Sequence, residues 1–161
     1  MQQIDHPFPP VVDENCRILI LGSFPSVKSR ADGFFYGHPQ NRFWRVLSSV
    51  FDDEMPADIA SKKAFLLRHH IALWDVIASC EINGSSDASV KNAVPVVIAR
   101  VKQIANIERV ICNGSLAHRL YQRHLEPITG IKAIARPSTS PANAAFSLEK
   151  LVAAWRTALL Q

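Results

Sequence analysis

The stretch Arg17-Ile18-Leu19-Ile20-Leu21-Gly22-Ser23-Phe24-Pro25-Ser26 decides the fold class. Its apolar run is short, continuous and stopped by a glycine. Such a run suits a strand covered on both faces, as in a parallel sheet, and lacks the alternation of a half-exposed strand. Ile71-Ala72-Leu73-Trp74-Asp75-Val76 and Arg109-Val110-Ile111-Cys112-Asn113-Gly114 have the same character, and residues 130–135 supply a fourth strand. Helical patterns lie between and after them. One begins near Gln40 and carries Phe43, Trp44, Val46, Leu47, Val50 and Phe51 on its apolar side. Others cover residues 55–70, 94–104 (with Pro95 in the first turn) and 115–124 (with Ser115 as cap). A closing helix has Leu148, Leu151, Val152, Trp155 and Leu159 at helical spacing. Strands alternating with helices predict an α/β fold: a three-layer α/β/α sandwich around a central, mainly parallel four-stranded sheet.

Ligands of such sheets bind outside the carboxyl ends of the strands. The loops after Leu21, Trp74, Gly114 and Ala135 therefore share one edge. This places residues 22–41 beside residues 136–143 and makes that pair of loops the expected active surface.

The rest of the chain sets bounds. Its 161 residues suit one domain, 1–161. Residues 1–14 form an extended N-terminal arm, because His6-Pro7-Phe8-Pro9-Pro10 excludes helix. Eighteen Lys and Arg against 14 Asp and Glu leave a net charge of +4, which suits a phosphate-rich partner without requiring one. Cys16, Cys80 and Cys112 are odd in number and widely spaced. They form neither a disulfide framework nor a metal motif, so buried free thiols and a reducing compartment are expected. The first residues lack the charged and apolar regions of a signal peptide. No apolar stretch approaches the roughly 20 residues that cross a bilayer. The expectation is a cytoplasmic protein with no membrane association and no obligate protein partner.

The first loop is neither a dinucleotide fingerprint nor a phosphate-binding P-loop, because the required glycines and Gly-Lys-Ser/Thr are missing and Pro25 breaks the immediate strand-to-helix turn. It alternates aromatic and polar groups instead: Phe24, Phe34, Phe35 and Tyr36, then His38, Gln40 and Asn41. Aromatic faces beside amides suit a planar heterocycle, held by stacking and read at its edge. Phe43 and Trp44 read as core. Asn41 is open between capping the helix behind it, orienting a water and hydrogen-bonding a base. Ser26, Ser138 and Ser140 are short hydroxyls suited to gripping phosphates, although each singly is a common turn residue. Lys28, Arg30, Arg42 and Arg45 are either phosphate contacts or a solvated face. His38 is read as ordering its loop, and Asp75 as supporting the site or capping the next segment.

At this point a resemblance enters. Gly22-Ser23-Phe24-Pro25-Ser26, followed by Gly33-Phe34-Phe35-Tyr36-Gly37-His38-Pro39-Gln40-Asn41-Arg42-Phe43-Trp44, resembles the uracil-DNA glycosylase superfamily. Combined with Pro137-Ser138-Thr139-Ser140-Pro141-Ala142-Asn143, it resembles the hypoxanthine-DNA (deoxyinosine) glycosylase branch. Many superfamily members carry a catalytic Asn or Asp just before the first-loop proline. Phe24 stands there and can neither polarise nor orient water. The branch is similar in lacking that group, and its proposed catalytic residue matches Asn41. Many relatives have His or Asn before the second Pro-Ser. Arg136 stands there, able to neutralise an anion or clamp a phosphate but not to imitate an imidazole.

The resemblance implies catalysis by Asn41 and base binding by Gly22, Ser23, Phe24 and Tyr36. It implies DNA contacts from Ser26, Arg136, Ser138, Thr139, Ser140 and Asn143, with residues 139–143 entering the minor groove. It implies no metal and no cofactor. The partner is DNA containing deaminated bases, and the reaction is hydrolysis of the N-glycosidic bond, mainly at deoxyinosine. Without a marked amine nucleophile the product is an abasic site with no lyase step. A uracil- or mismatch-specific glycosylase and a non-catalytic damaged-DNA-binding module are the alternatives.

Overall fold

The computed structural model describes residues 2–160. The core is a four-stranded parallel sheet of β2 (Ile18–Gly22), β3 (Ile71–Asp75), β6 (Arg109–Asn113) and β7 (Ile134–Arg136), in the order β3-β2-β6-β7. Every residue of β3, and all but the first of β2 and of β6, is buried. Neighbouring side chains point to opposite faces, so both faces of these strands are covered. Between and after them run α1 (Val27–Asp32), α2 (Phe43–Phe51), α3 (Ile59–Arg68), α4 (Ala99–Lys102), α5 (Ser115–His124), α6 (Glu126–Thr129) and α7 (Leu148–Leu159). The parallel α/β architecture read from the sequence is the one observed.

A second sheet was not anticipated. β1 (Gln2–Asp5), β4 (Ile77–Ile82) and β5 (Lys91–Pro95) pair antiparallel in the order β1-β4-β5. The chain leaves the parallel sheet at Val76, whose N–H donates to Gly22 O at 2.8 Å, and enters β4 directly. The extended arm is thus partly a strand. Farther on, Val11 exchanges two backbone hydrogen bonds with Leu73, both 2.9 Å, and covers the β3 edge.

Several boundaries are corrected. The helix expected over residues 94–104 shrinks to α4, because Pro95 closes β5 instead of opening a helix. β5 is an edge strand, where a missing N–H costs no ladder bond. The expected helix at 55–70 starts only at Ile59, where the Asp58 carboxylate accepts the Ser61 N–H at 2.7 Å. Ser115 is the first residue of α5; its cap is Gly114, at φ 95°. The loop at 22–41 contains α1, and Arg136 ends β7 instead of opening the second loop.

α7 closes the core through Trp155, which is fully buried, meets Phe43 edge-to-face at 6.3 Å and donates its indole N–H to Pro137 O at 3.0 Å. Cys16, Cys80 and Cys112 are free and buried, and burial pushes the Cys112 thiol up to about 12. Replacing Trp155→Ala removes a large core side chain and the anchor of Pro137. A loss of about 3–5 kcal/mol in urea unfolding is expected, with a loss below about 1 kcal/mol contradicting this role.

Candidate active site

The carboxyl ends of β2, β3, β6 and β7 open into one cleft of about 1130 Å³, walled by both loops. The first loop is built from short polar anchors. Ser26 caps α1, accepting the Ser29 N–H at 3.1 Å, and buried Ser29 accepts the Gly37 N–H at 2.9 Å. Between these anchors Tyr36 takes a left-handed backbone, φ 54°. Its ring stacks on Phe43 at 4.1 Å and 15°, so one face is backed by core. Its hydroxyl oxygen accepts from Asn113 Nδ2 at 3.1 Å. Burial, and then the Asp75 charge, hold this phenol well above its ordinary pKa, which keeps it a neutral hydroxyl.

Asn41 sits where the two loops meet. Its Oδ1 accepts the Phe43 N–H at 2.9 Å and the Thr139 hydroxyl at 2.9 Å. Thr139 Oγ1 in turn accepts from Asn113 Nδ2 at 3.0 Å, while the Thr139 N–H donates to Asn113 Oδ1 at 3.1 Å. A backbone N–H can only donate, so the Phe43 and Thr139 amides settle which end of each Asn side chain is oxygen. The lone pairs of Asn41 Oδ1 are both filled. What Asn41 has left for the cleft it lines is its NH₂ group. The helix-end reading therefore describes the oxygen end of the amide, and the nitrogen end is left for whatever the cleft takes up.

Arg42 is neither a phosphate contact nor a solvated side chain. Its guanidinium donates to the carbonyls of Ser140 (3.0 Å), Asn143 (3.1 Å) and Phe146, and its N–H to Thr139 O at 3.1 Å. One Arg thus staples the second loop to the first, using the fork of donors that only Arg presents. Within that loop Ser138 Oγ accepts the Ser140 N–H, Ser140 Oγ accepts the Ala142 N–H, both at 3.1 Å, and Asn143 Nδ2 donates to Ser138 O at 2.9 Å. Ser26, Ser138, Ser140 and Asn143 all line the cleft.

Thr139 departs from expectation: it is fully buried, and its hydroxyl is spent on Asn41 instead of facing a groove. Arg136 lines the cleft but is held back, donating to Ala135 O (2.9 Å) and Thr157 Oγ1 (3.0 Å), with its Nε buried and unpartnered among the described residues. Gly22 has a steric reason of its own. A Cβ there would lie 2.5 Å from Asp75 Oδ1 and 2.6 Å from Tyr36 Oη. The Ser23 hydroxyl donates to Asp87 at 2.9 Å, and Phe24 meets the His6 ring edge-on at 5.9 Å under the Arg30 guanidinium. Lys28 pairs with Asp32 at the surface, Arg30 holds the Pro25 carbonyl at 2.9 Å, and His38 Nδ1 accepts the Gln40 N–H at 3.1 Å.

Sequence reasoning missed Asn113 and the α5 wall of His118, Arg119 and Gln122, as well as His6, which meets the lining residue Asp75. Asn113 ends a strand at the same edge as the other site residues, so the carboxyl-end rule contained the signal. His6 had none, because the sequence does not show that the arm returns to the cleft.

This is the layout of a base-excising glycosylase family. The family model described as the uracil DNA glycosylase superfamily matches residues 9–159, and the chain belongs to that superfamily. Within it, the chain is 36% identical over 142 residues to the hypoxanthine DNA glycosylase of Methanosarcina acetivorans, covering 87% of this chain and 89% of that protein. It is 38% identical over 109 residues to the hypoxanthine DNA glycosylase of Methanosarcina barkeri, covering 66% and 69%. A chain from Methanosarcina acetivorans, solved by solution NMR and provisionally assigned as a uracil DNA glycosylase, superposes with a TM-score of 0.80 at 30% identity, over 99% of this chain and 100% of that one.

Removing the staple with Arg42→Ala should free the second loop while sparing the sheet. Amide hydrogen exchange over residues 138–146 is expected to quicken by about tenfold or more, with the β2 and β6 amides unchanged. Uniform quickening throughout would show that Arg42 serves only global stability.

Proposed function

We propose that this chain is a monofunctional DNA glycosylase. It hydrolyses the N-glycosidic bond of deaminated bases in DNA, mainly hypoxanthine, and leaves an abasic site. The observation that carries the reading is the fixed polarity of Asn41, a donor aimed into the cleft of a site that has Phe24 where many relatives keep a water-orienting group.

Breaking this bond builds positive charge on the sugar and negative charge on the departing base. The protein accelerates it by holding dipoles already aimed at that charge. Hypoxanthine and uracil leave as anions spread over ring nitrogens and carbonyl oxygens, so a preset N–H donor is the useful catalytic group. Asn41 Nδ2 supplies it. An amide has no useful proton affinity, and with Oδ1 saturated it cannot accept from an attacking water. Its contribution lies on the leaving-group side. The N–H groups of Ser23 and Phe24 at the carboxyl end of β2 suit a base carbonyl, and the free face of Tyr36 suits the extruded ring.

The second loop, stapled by Arg42, presents Ser138, Ser140 and Asn143 toward the DNA backbone, with Arg119 and Arg136 adding positive charge. No lysine lines the cleft among the described residues, which supports hydrolysis without a Schiff-base step.

The test contrasts two changes at one position. Duplexes containing deoxyinosine, deoxyuridine or thymine opposite guanine are incubated with protein and cleaved with alkali at abasic sites. Asn41→Ala is expected to lower single-turnover excision of deoxyinosine by about 10²–10³, the typical cost of one lost donor to a developing anion. Asn41→Asp keeps the bonds to Phe43 and Thr139 but turns an oxygen toward the departing anion, so it should be at least as damaging. If Asn41→Asp retained wild-type excision, the donor role would be wrong. Binding without cleavage of any duplex would leave only a damage-binding module.

A further inference from the structure

The Asn41 donor serves the departing base and leaves the other side of the reaction unattended. Hydrolysis also needs a water aimed at C1′ of the sugar and an acceptor for its proton. Asn41 Oδ1 is filled by Phe43 and Thr139, and Phe24 at the head of the first loop is apolar. The β4–β5 hairpin loop, residues 83–90, supplies a group that neither of the two site loops contains. Its Ser85, Ser86, Asp87 and Ala88 line the cleft. The loop is closed on itself by Ser89, whose hydroxyl accepts the Asn83 N–H at 2.8 Å and donates to Ser86 O at 2.7 Å. It is docked on the first loop, where the Val27 N–H donates to Ser85 Oγ and the Ser23 hydroxyl to Asp87 Oδ1, both at 2.9 Å. Asp87 is thereby presented at the carboxyl end of β2, and its Oδ2 has no hydrogen-bond partner among the described residues.

Among the described residues two carboxylates line the cleft. Asp75 is 3% exposed and bound to His6 at 2.8 Å, whereas Asp87 is exposed. An exposed negative charge in a cleft that takes up a polyanion opposes binding. It is useful there only where positive charge develops, and in this reaction that place is the sugar. Partial desolvation raises the Asp87 pKa above the ordinary carboxylate value; the Ser23 bond works against the rise and the Asp75 charge adds to it. A carboxylate so raised is a better proton acceptor than an ordinary one.

We propose that Asp87 orients the attacking water and accepts its proton, with Ser23 as the positioning residue that holds Oδ1 and leaves Oδ2 to the water. The inference rests on the glycosylase reading above. The C1′–N9 bond of deoxyinosine breaks and its electron pair leaves with the base. The water oxygen bonds to C1′ and its proton passes to Asp87 Oδ2. Asp87 then yields that proton to solvent, and the base anion takes one up. Asn41 and Asp87 thus divide the reaction between its leaving group and its nucleophile.

Single-turnover excision of deoxyinosine is measured with protein in saturating excess, so that changes in DNA binding drop out. Asp87→Asn keeps an oxygen for the Ser23 hydroxyl but cannot take a proton, and is expected to slow excision by about 10²-fold or more. Binding of the same duplex should hold or tighten, because a negative charge has gone. Asp87→Ala should be slowed alike and recover about tenfold or more in sodium formate relative to sodium chloride at equal ionic strength, because formate returns a carboxylate to the gap. A loss due only to disturbed structure would not recover. Ser23→Ala keeps its backbone N–H and should slow the wild-type protein by about threefold to tenfold, yet add less than about twofold to Asp87→Asn.

Excision by Asp87→Asn within about threefold of wild type overturns the proposal, as does equal recovery of Asp87→Ala in formate and chloride. A Ser23→Ala loss of the same size in both backgrounds overturns the part given to Ser23. Wild-type protein that excises nothing would sink the glycosylase reading and this one together. Active wild-type protein with an equally active Asp87→Asn would sink this one alone.

Discussion

The buried chain Asn113–Thr139–Asn41 is the constraint on which the site depends. It joins the end of β6, the second loop and the start of α2 through side chains that are each donor and acceptor. A polar network in a dry place is expensive when half satisfied and specifying when complete. Here the three side chains are linked without a gap, and backbone N–H groups set the direction at both amides. The polarity of the Asn41 amide, which lines the cleft, is therefore dictated by the main chain of Phe43 and Thr139.

Around this chain the two loops are held by different means. The first is anchored by serine caps and by Tyr36 lying on Phe43, which is itself core. The second has little apolar anchorage and relies on Arg42 and on the Trp155 indole beneath Pro137. Stapling by hydrogen bonds to carbonyls fixes position while leaving the serine hydroxyls at the surface, as a segment that must meet a flexible polyanion requires.

The parallel sheet was legible because continuous apolar runs ending in Gly22, Asp75 and Asn113 have no other economical reading, and the carboxyl-end rule then brought the two loops together. The second sheet was not legible. β4 follows β3 with one residue between them, so no turn signal marks the change of sheet, and β5 carries a proline that reads equally as a helix start. Asn41 was legible as a residue but not as an oriented group. Its oxygen is fixed by the Phe43 N–H and filled by the Thr139 hydroxyl, 98 positions away. The serines and Arg42 were noticed, but pattern alone could not show that Arg42 points inward to three carbonyls. His6 was illegible for the same reason of distance, since its partner lies 69 positions along the chain.

That separation has a kinetic side. β1 can dock only after β3 and β4 exist, and closing so long a loop returns few contacts for the entropy it consumes. The arm is then the last piece to join and the first to leave, and the parallel sheet does not need it to stay folded. A growing or strained chain would pass through a state with an intact core, a formed Asn41 and no His6. In that state the cleft would keep both its loops while Asp75 lost its His6 partner.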